Sequence, residues 1–245
     1  MVIVNGEKLY VFALVLGGGS GRRMTGTEMP KQYLMLGDRP VILHSVQRFL
    51  LNEKVDRVIM VCPGDHLDYT QALAAQYLKD SSRVSVTAGG ADRNASLMKG
   101  MLKAQAFMKD GSDAVVLTHD AARPFLTDRI IEENIAAAAA YSACTTAVSA
   151  VDTIMRSDDG QVISEIPKRS LMYQVQTPQS FRFSVLFGAM NSLSSEELGI
   201  LTDACGIMQA RGIPVRLVKG ETYNIKLTYP QDMVTAEGIL KNLSS

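Results

Sequence analysis

Tyr10 to Leu16 (YVFALVL) is an unbroken apolar run that ends in three consecutive glycines. A run without polar alternation suits a strand buried on both faces. It opens a regular rhythm. Asp56 to Cys62, Arg83 to Ala88 and Asp113 to Thr118 are further β-rich runs, and Val41 to Leu51, His66 to Leu78 and Asn94 to Met108 between them carry apolar residues at helical spacing. Short strands alternating with amphipathic helices predict right-handed βαβ units, hence a mostly parallel sheet with helices on both faces. The alanine-rich Ile130 to Tyr141 continues as a helix and Cys144 to Val151 as a strand. From 152 to 177 the rhythm breaks into short extended pieces (GQVISEIP, LMYQVQTP), which predict an antiparallel β excursion. Helices resume at Arg182 to Met190 and Thr202 to Ala210, a strand follows at Pro214 to Lys219, and a last helix starts at Pro230, where proline suits a first turn. The small, polar tail from Asn242 to Ser245 is expected to fray.

The 245 residues suit one domain, here 1–245 with 152–177 as its excursion, and a chain of this size needs no covalent staples. Charge is balanced, with 25 Lys and Arg against 25 Asp and Glu, which argues against a nucleic-acid binder. No apolar run approaches the ~18 residues of a membrane span, and Met1 opens no signal peptide. Cys62, Cys144 and Cys205 are far apart and form no CxxC pair, so a disulfide framework or zinc site is not expected. These features point to a cytoplasmic globular protein without membrane or nucleic-acid partners.

The segment LGGGSGRRMTGTEMPKQYL, Leu16 to Leu34, carries the chemistry. Gly17, Gly18, Gly19 and Gly21 allow close backbone approach to a ligand, and their N–H groups can form an anion-binding nest. Arg22, Arg23 and Lys31 add three cations, which suits a polyphosphate. The loop is neither a Walker A motif, which needs GK[ST] where Gly21 is followed by Arg-Arg, nor a GxGxxG fingerprint. Asp120, in HDAARP after a predicted strand, falls at the carboxyl edge of the sheet, where open α/β proteins bind ligands. Gly89-Gly90 closes another strand and opens a helix, a second place for a base or phosphate. Arg93 in that helix's first turn reads equally as a solvated cation, Lys226 alone reads as a surface lysine, and His119 reads as a packed histidine.

The glycine loop with Met29-Pro30-Lys31-Gln32-Tyr33 resembles the signature loop of nucleotidyltransferases that activate sugar phosphates. It is most similar to the cytidylyltransferases of polyol phosphates, the family that acts on 2-C-methyl-D-erythritol 4-phosphate or ribitol 5-phosphate. GGADRNASL (89–97), HDAARPF (119–125), QTPQSF (176–181) and YNIKLTYPQD (223–232) extend the resemblance from about Phe12 to Leu240. The resemblance implies a Rossmann-like three-layer nucleotidyltransferase fold with an extended β arm. It implies Arg23, Lys31 and Lys226 as catalytic cations. The nucleotide would lie on Leu16, Gly17, Gly18, Gly19, Ser20, Gly21, Arg22, Gly90, Ala91, Ser96 and Asp120. The resemblance also implies that Asp120 would sit at the junction with the acceptor and contact the metal, Mg²⁺ held mainly by the phosphates of CTP. Thr153 and Arg169 match positions that grip the acceptor's phosphate, on an arm that reaches across a homodimer. Asp92-Arg93-Asn94, FLTDRIIEENI, MYQVQTPQSF and LTDAC lean towards ribitol phosphate, whereas Ala122 in HDAARP and Tyr33 in KQY look more like the methylerythritol branch.

Overall fold

The structure is a computed structural model and describes residues 1–4, 6–18 and 29–243. Its strands are β1 (Val2–Val4), β2 (Glu7–Leu16), β3 (Met35–Leu36), β4 (Arg39–Pro40), β5 (Arg57–Cys62), β6 (Val84–Ala88), β7 (Asp113–Asp120), β8 (Ala143–Ser149), β9 (Tyr173–Arg182) and β10 (Arg216–Lys219). The α-helices are α1 (Val41–Leu51), α2 (Leu67–Tyr77), α3 (Arg93–Gln105), α4 (Asp128–Tyr141), α5 (Phe183–Asn191), α6 (Ser195–Ile200), α7 (Ala204–Ala210) and α8 (Pro230–Leu243). The main sheet runs β10-β8-β9-β7-β2-β5-β6, with β1 folded back antiparallel on β2. All neighbours along that order are parallel except β9, which is antiparallel to both β7 and β8.

Alternation along the central strands sorts the core into two layers, because successive side chains of a strand point to opposite faces. Val11, Ala13 and Val15 of β2, with Val115 and Leu117 of β7, pack with residues of α1, α2 and α4. Phe12 and Leu14, with Ala114 and Val116, pack with α3, α5 and α7 on the other face. A smaller cluster joins α8, through Ala236, to Leu36, Val41, Phe125 and Leu227. Helix ends follow local chemistry. Asp92, Thr127 and Asp203 accept backbone N–H bonds at the starts of α3, α4 and α7, and Ser194 with Glu197 forms a reciprocal capping box on α6. Ser142 ends α4 in the left-handed region at φ 69°.

Three expectations are corrected. Tyr173–Thr177 does not belong to the excursion: it opens β9, a ten-residue strand in the middle of the sheet. Gln176, Thr177 and Pro178 conceal it in the sequence, since proline cannot donate to a ladder and is normally found at edges or bulges. Here the β8–β9 register shifts between Thr145 and Ala147, the irregularity that accommodates residues 176–178. The arm itself contains little β structure; Arg156 and Glu165 form an isolated antiparallel bridge across it, and Asp159 accepts two backbone bonds at its tip. Finally, α8 runs through Asn242 and Leu243 rather than fraying from Asn242; Ser244 and Ser245 lie outside the described residues.

Since β9 is antiparallel to both β7 and β8, those two strands are parallel and end on the same edge. The arm therefore leaves the sheet on the edge that carries Asp120. Its two ends meet where the Ala150 N–H donates to the Met172 carbonyl at 3.0 Å.

Candidate active site

Leu16 pairs with Asp120 in the β2–β7 ladder, so the glycine loop and the aspartate leave the sheet side by side. Gly17 and Gly18 begin the loop. A Cβ on Gly17 would meet the Val61 carbonyl oxygen at 3.2 Å and one on Gly18 would meet Ser96 Oγ at 3.1 Å, so a side chain at either would crowd its neighbour. Gly19, Ser20, Gly21, Arg22 and Arg23 lie outside the described residues. On the loop's far side, the buried Gln32 side chain donates to the Gly17 carbonyl at 2.6 Å, which ties the turn carrying Lys31 to the loop's start. Tyr33 anchors that turn from beneath, hydrogen-bonded to Thr70 at 2.7 Å and stacked on His66. Burial pushes the Tyr33 hydroxyl up to about 12.

The second glycine turn, after β6, closes on the same Ser96. Its Oγ accepts the Gly90 N–H at 3.0 Å and donates to the Asp92 carbonyl at 2.8 Å, while the side chain is buried. Ser96 thus shapes the turn between Gly18 and Gly90, where Gly90 is half-buried and Ala91 is exposed.

Asp120 is the electrostatic centre. Lys226 Nζ lies 2.9 Å from its Oδ2, an Arg93 guanidinium nitrogen 3.1 Å from its Oδ1, and Arg123 Nε 3.7 Å from Oδ2. Burial alone would raise its pKa, but Lys226, Arg93 and Arg123 hold it well below the usual carboxylate range. Three cations around one carboxylate leave two positive charges in excess. The Arg123 Nε–H, buried and too far from Asp120 for a hydrogen bond, has no acceptor among the described residues. An anion is the ligand such a cluster is built to take.

A chain of bonds fixes Asp120 from behind. The Asp120 N–H donates to Thr177 Oγ1 at 3.1 Å, the Thr177 hydroxyl faces His119 Nδ1 at 3.1 Å, and His119 Nε2 donates to the Arg123 carbonyl at 2.9 Å. The carbonyl can only accept, so Nε2 carries a proton. Burial holds the imidazole neutral, with its pKa lowered to about 4. Lys226 is delivered by its neighbours: Asn224 donates to the Thr177 carbonyl at 3.0 Å, Arg123 donates to the Asn224 carbonyl at 2.7 Å, and the Leu227 N–H bonds the Ala122 carbonyl.

The structure thus brings together Leu16, Gly17, Gly18, Gly90, Ser96, Asp120 and Lys226, with Lys31 attached through Gln32. Thr153 and Arg169 are exposed on the arm, where Arg169 bonds the Val151 carbonyl, and neither joins the Asp120 cluster. Sequence reasoning missed Arg123 and undervalued Arg93, because their roles depend on a shared aspartate reached from two different segments. HDAARP placed Arg123 three residues after Asp120, the one signal that could have flagged it. Asp120 faces cations rather than other carboxylates in this structure. Both its oxygens are engaged by cations, and among the described residues no group of three or more His, Cys, Asp or Glu side chains could hold a metal ion.

A mostly parallel sheet whose carboxyl edge carries two glycine turns and a cationic cluster fits a nucleotide-handling α/β protein. Comparison with known proteins narrows this. Residues 11–242 match the family model described as IspD: 2-C-methyl-D-erythritol 4-phosphate cytidylyltransferase, and the chain belongs to that family of cytidylyltransferases. It is 44% identical over 234 residues to a ribitol-5-phosphate cytidylyltransferase of Lactiplantibacillus plantarum, covering 96% of this chain and all of the relative. Among solved structures, it resembles the 4-diphosphocytidyl-2C-methyl-D-erythritol synthase of Anaerococcus prevotii, with a TM-score of 0.78 at 25% identity over 95% of this chain and 96% of the other. The 2-C-methyl-D-erythritol 4-phosphate cytidylyltransferase of Thermus thermophilus superposes with a TM-score of 0.69 at 26% identity, over 95% and 98% of the two chains.

Proposed function

We propose that the chain transfers the cytidylyl group of CTP to D-ribitol 5-phosphate, giving CDP-ribitol and pyrophosphate. The observation that carries the acceptor is the 44% identity, along its whole length, to a relative named for ribitol 5-phosphate. Its product would serve the assembly of polyol-phosphate polymers in the cytoplasm, where CTP is at hand; no described helix is long and apolar enough to cross a membrane.

The acceptor phosphate, with a second pKa of about 6, is already nucleophilic near neutral pH and needs no general base. The barrier lies in bringing two polyanions together in line, so the protein's work is positioning and charge neutralisation. Arg23 and Lys31 would hold the triphosphate and steady the leaving pyrophosphate. Lys226 would exchange Asp120 for the α-phosphate. Asp120 keeps the three cations poised before substrate arrives. The Mg²⁺ of this reading is carried on the triphosphate and water rather than in a cage of side chains.

Thr153 and Arg169 would grip the acceptor's phosphate from the arm of a second copy. Supporting this, the arm exposes Val151, Met155, Val162, Ile163, Ile166 and Leu171, an apolar set a monomer leaves in water. The family model favours a second reading, with 2-C-methyl-D-erythritol 4-phosphate as acceptor. Pyrophosphate release with CTP, Mg²⁺ and each polyol phosphate in parallel decides between them. Turnover confined to ribitol 5-phosphate is the expected result, and turnover confined to the methylerythritol phosphate overturns it.

A further inference from the structure

Arg93 is better held than a pairing partner for Asp120 needs to be. Asp92 caps the first turn of α3 by accepting the Ala95 N–H at 2.7 Å, and the buried Asn94 side chain donates to the Leu198 and Leu201 carbonyls, both at 2.8 Å. Arg93 therefore starts a helix pinned at its first turn to the α6–α7 connection. Nη2 of its guanidinium bonds Asp120, while Nη1 is buried and has no partner among the described residues. Lys226 already bonds Asp120 and Arg123 lies alongside, so the carboxylate is compensated without Arg93. A buried charged donor with nothing to bond is costly unless a ligand supplies the acceptor. The cluster's two surplus positive charges match one phosphate dianion.

We propose that Arg93 is a substrate-phosphate ligand whose Nη2 is fixed by Asp120 and whose Nη1 awaits a phosphate oxygen. The inference rests on the cytidylyltransferase reading and adds a fourth cation to the three carried by Arg23, Lys31 and Lys226. The oxygen comes either from the nucleotide or from the polyol phosphate, both of which meet beside Asp120.

The test is steady-state pyrophosphate release by Arg93→Lys and Arg93→Gln, with KM measured separately for CTP and for the polyol phosphate. Lysine keeps the charge and can pair with Asp120, but as a point charge it cannot fork between two acceptors. Both variants are expected to lose on the order of 10²-fold in kcat/KM, with KM raised for whichever substrate supplies the phosphate. Wild-type constants in Arg93→Lys overturn the proposal. So does a fall in kcat with both KM values unchanged, which would make Arg93 only a support for Asp120. If the unmodified protein releases no pyrophosphate with either polyol phosphate, the acceptor reading fails, and calorimetric titration with CTP and each polyol phosphate then decides. Weaker binding of one of these by Arg93→Lys supports the assignment, and unchanged binding of all overturns it.

Discussion

Asp120 is where one atom group controls the most chemistry. In Asp120→Asn, Lys226, Arg93 and Arg123 would face one another without a compensating charge. Removing one partner of a buried ion pair costs about 3–5 kcal/mol, so the melting temperature should fall by roughly 10 °C at this chain length. Added pyrophosphate should restore part of the loss by supplying the missing anion; a variant as stable as the parent, or one indifferent to pyrophosphate, would contradict the cluster's role. Since the folded pKa of Asp120 lies below its unfolded value, its stabilisation is present above about pH 4 and disappears only in stronger acid. His119 acts in a different window. With its pKa lowered to about 4 against a reference of 6.5, the unfolded chain binds a proton that the folded one refuses between those values. Stability should therefore drop by about 3 kcal/mol as pH falls from 6.5 to 4. Chemical denaturation across that range should show a visibly flatter profile in His119→Gln.

Among the elements, the two glycine turns and the Lys31 turn are single-purpose parts whose geometry depends on specific neighbours. A Cβ on Gly90 would lie 2.4 Å from Ala95 Cβ and 2.9 Å from its carbonyl carbon, so Gly90→Ala must displace the first turn of α3. KM for CTP should rise about tenfold, reflecting a loss near 1.4 kcal/mol of binding; an unchanged KM would show that this turn does not meet the nucleotide. The sequence made these turns visible because glycine runs after apolar strands have few other uses. The β–α rhythm of β2 to α4 was equally legible, since strand and helix periods differ so plainly there. β9 was not. Its buried Gln176 and Gln179 are polar residues that bond internally, Gln176 to the Glu221 carbonyl and Gln179 to Asp203. Polar side chains satisfied by distant segments leave no hydrophobic period to read. Arg93 and Arg123 were obscured because the carboxylate that joins them is placed between them by the fold, not by the local sequence.

For the whole molecule, the outstanding question is assembly. The exposed apolar side chains of the arm are the surface that a second copy would cover. Ile163→Asp together with Leu171→Asp should shift sedimentation from a dimer to a monomer and depress turnover, leaving the melting transition of the sheet intact. A parent protein that sediments as a monomer while turning over normally would remove the arm from the active site. The arm's attachment has a practical corollary. It departs from β8 and returns to β9, adjacent strands, across a single backbone bond between Ala150 and Met172. Such an excursion is a cassette: it can be cut out at that bond and joined by a tight turn, or exchanged for the corresponding stretch of a relative, without disturbing a ladder of the sheet. A chimera made there would move Thr153 and Arg169 as a unit, and would show whether the choice of acceptor travels with the arm or stays with the sheet.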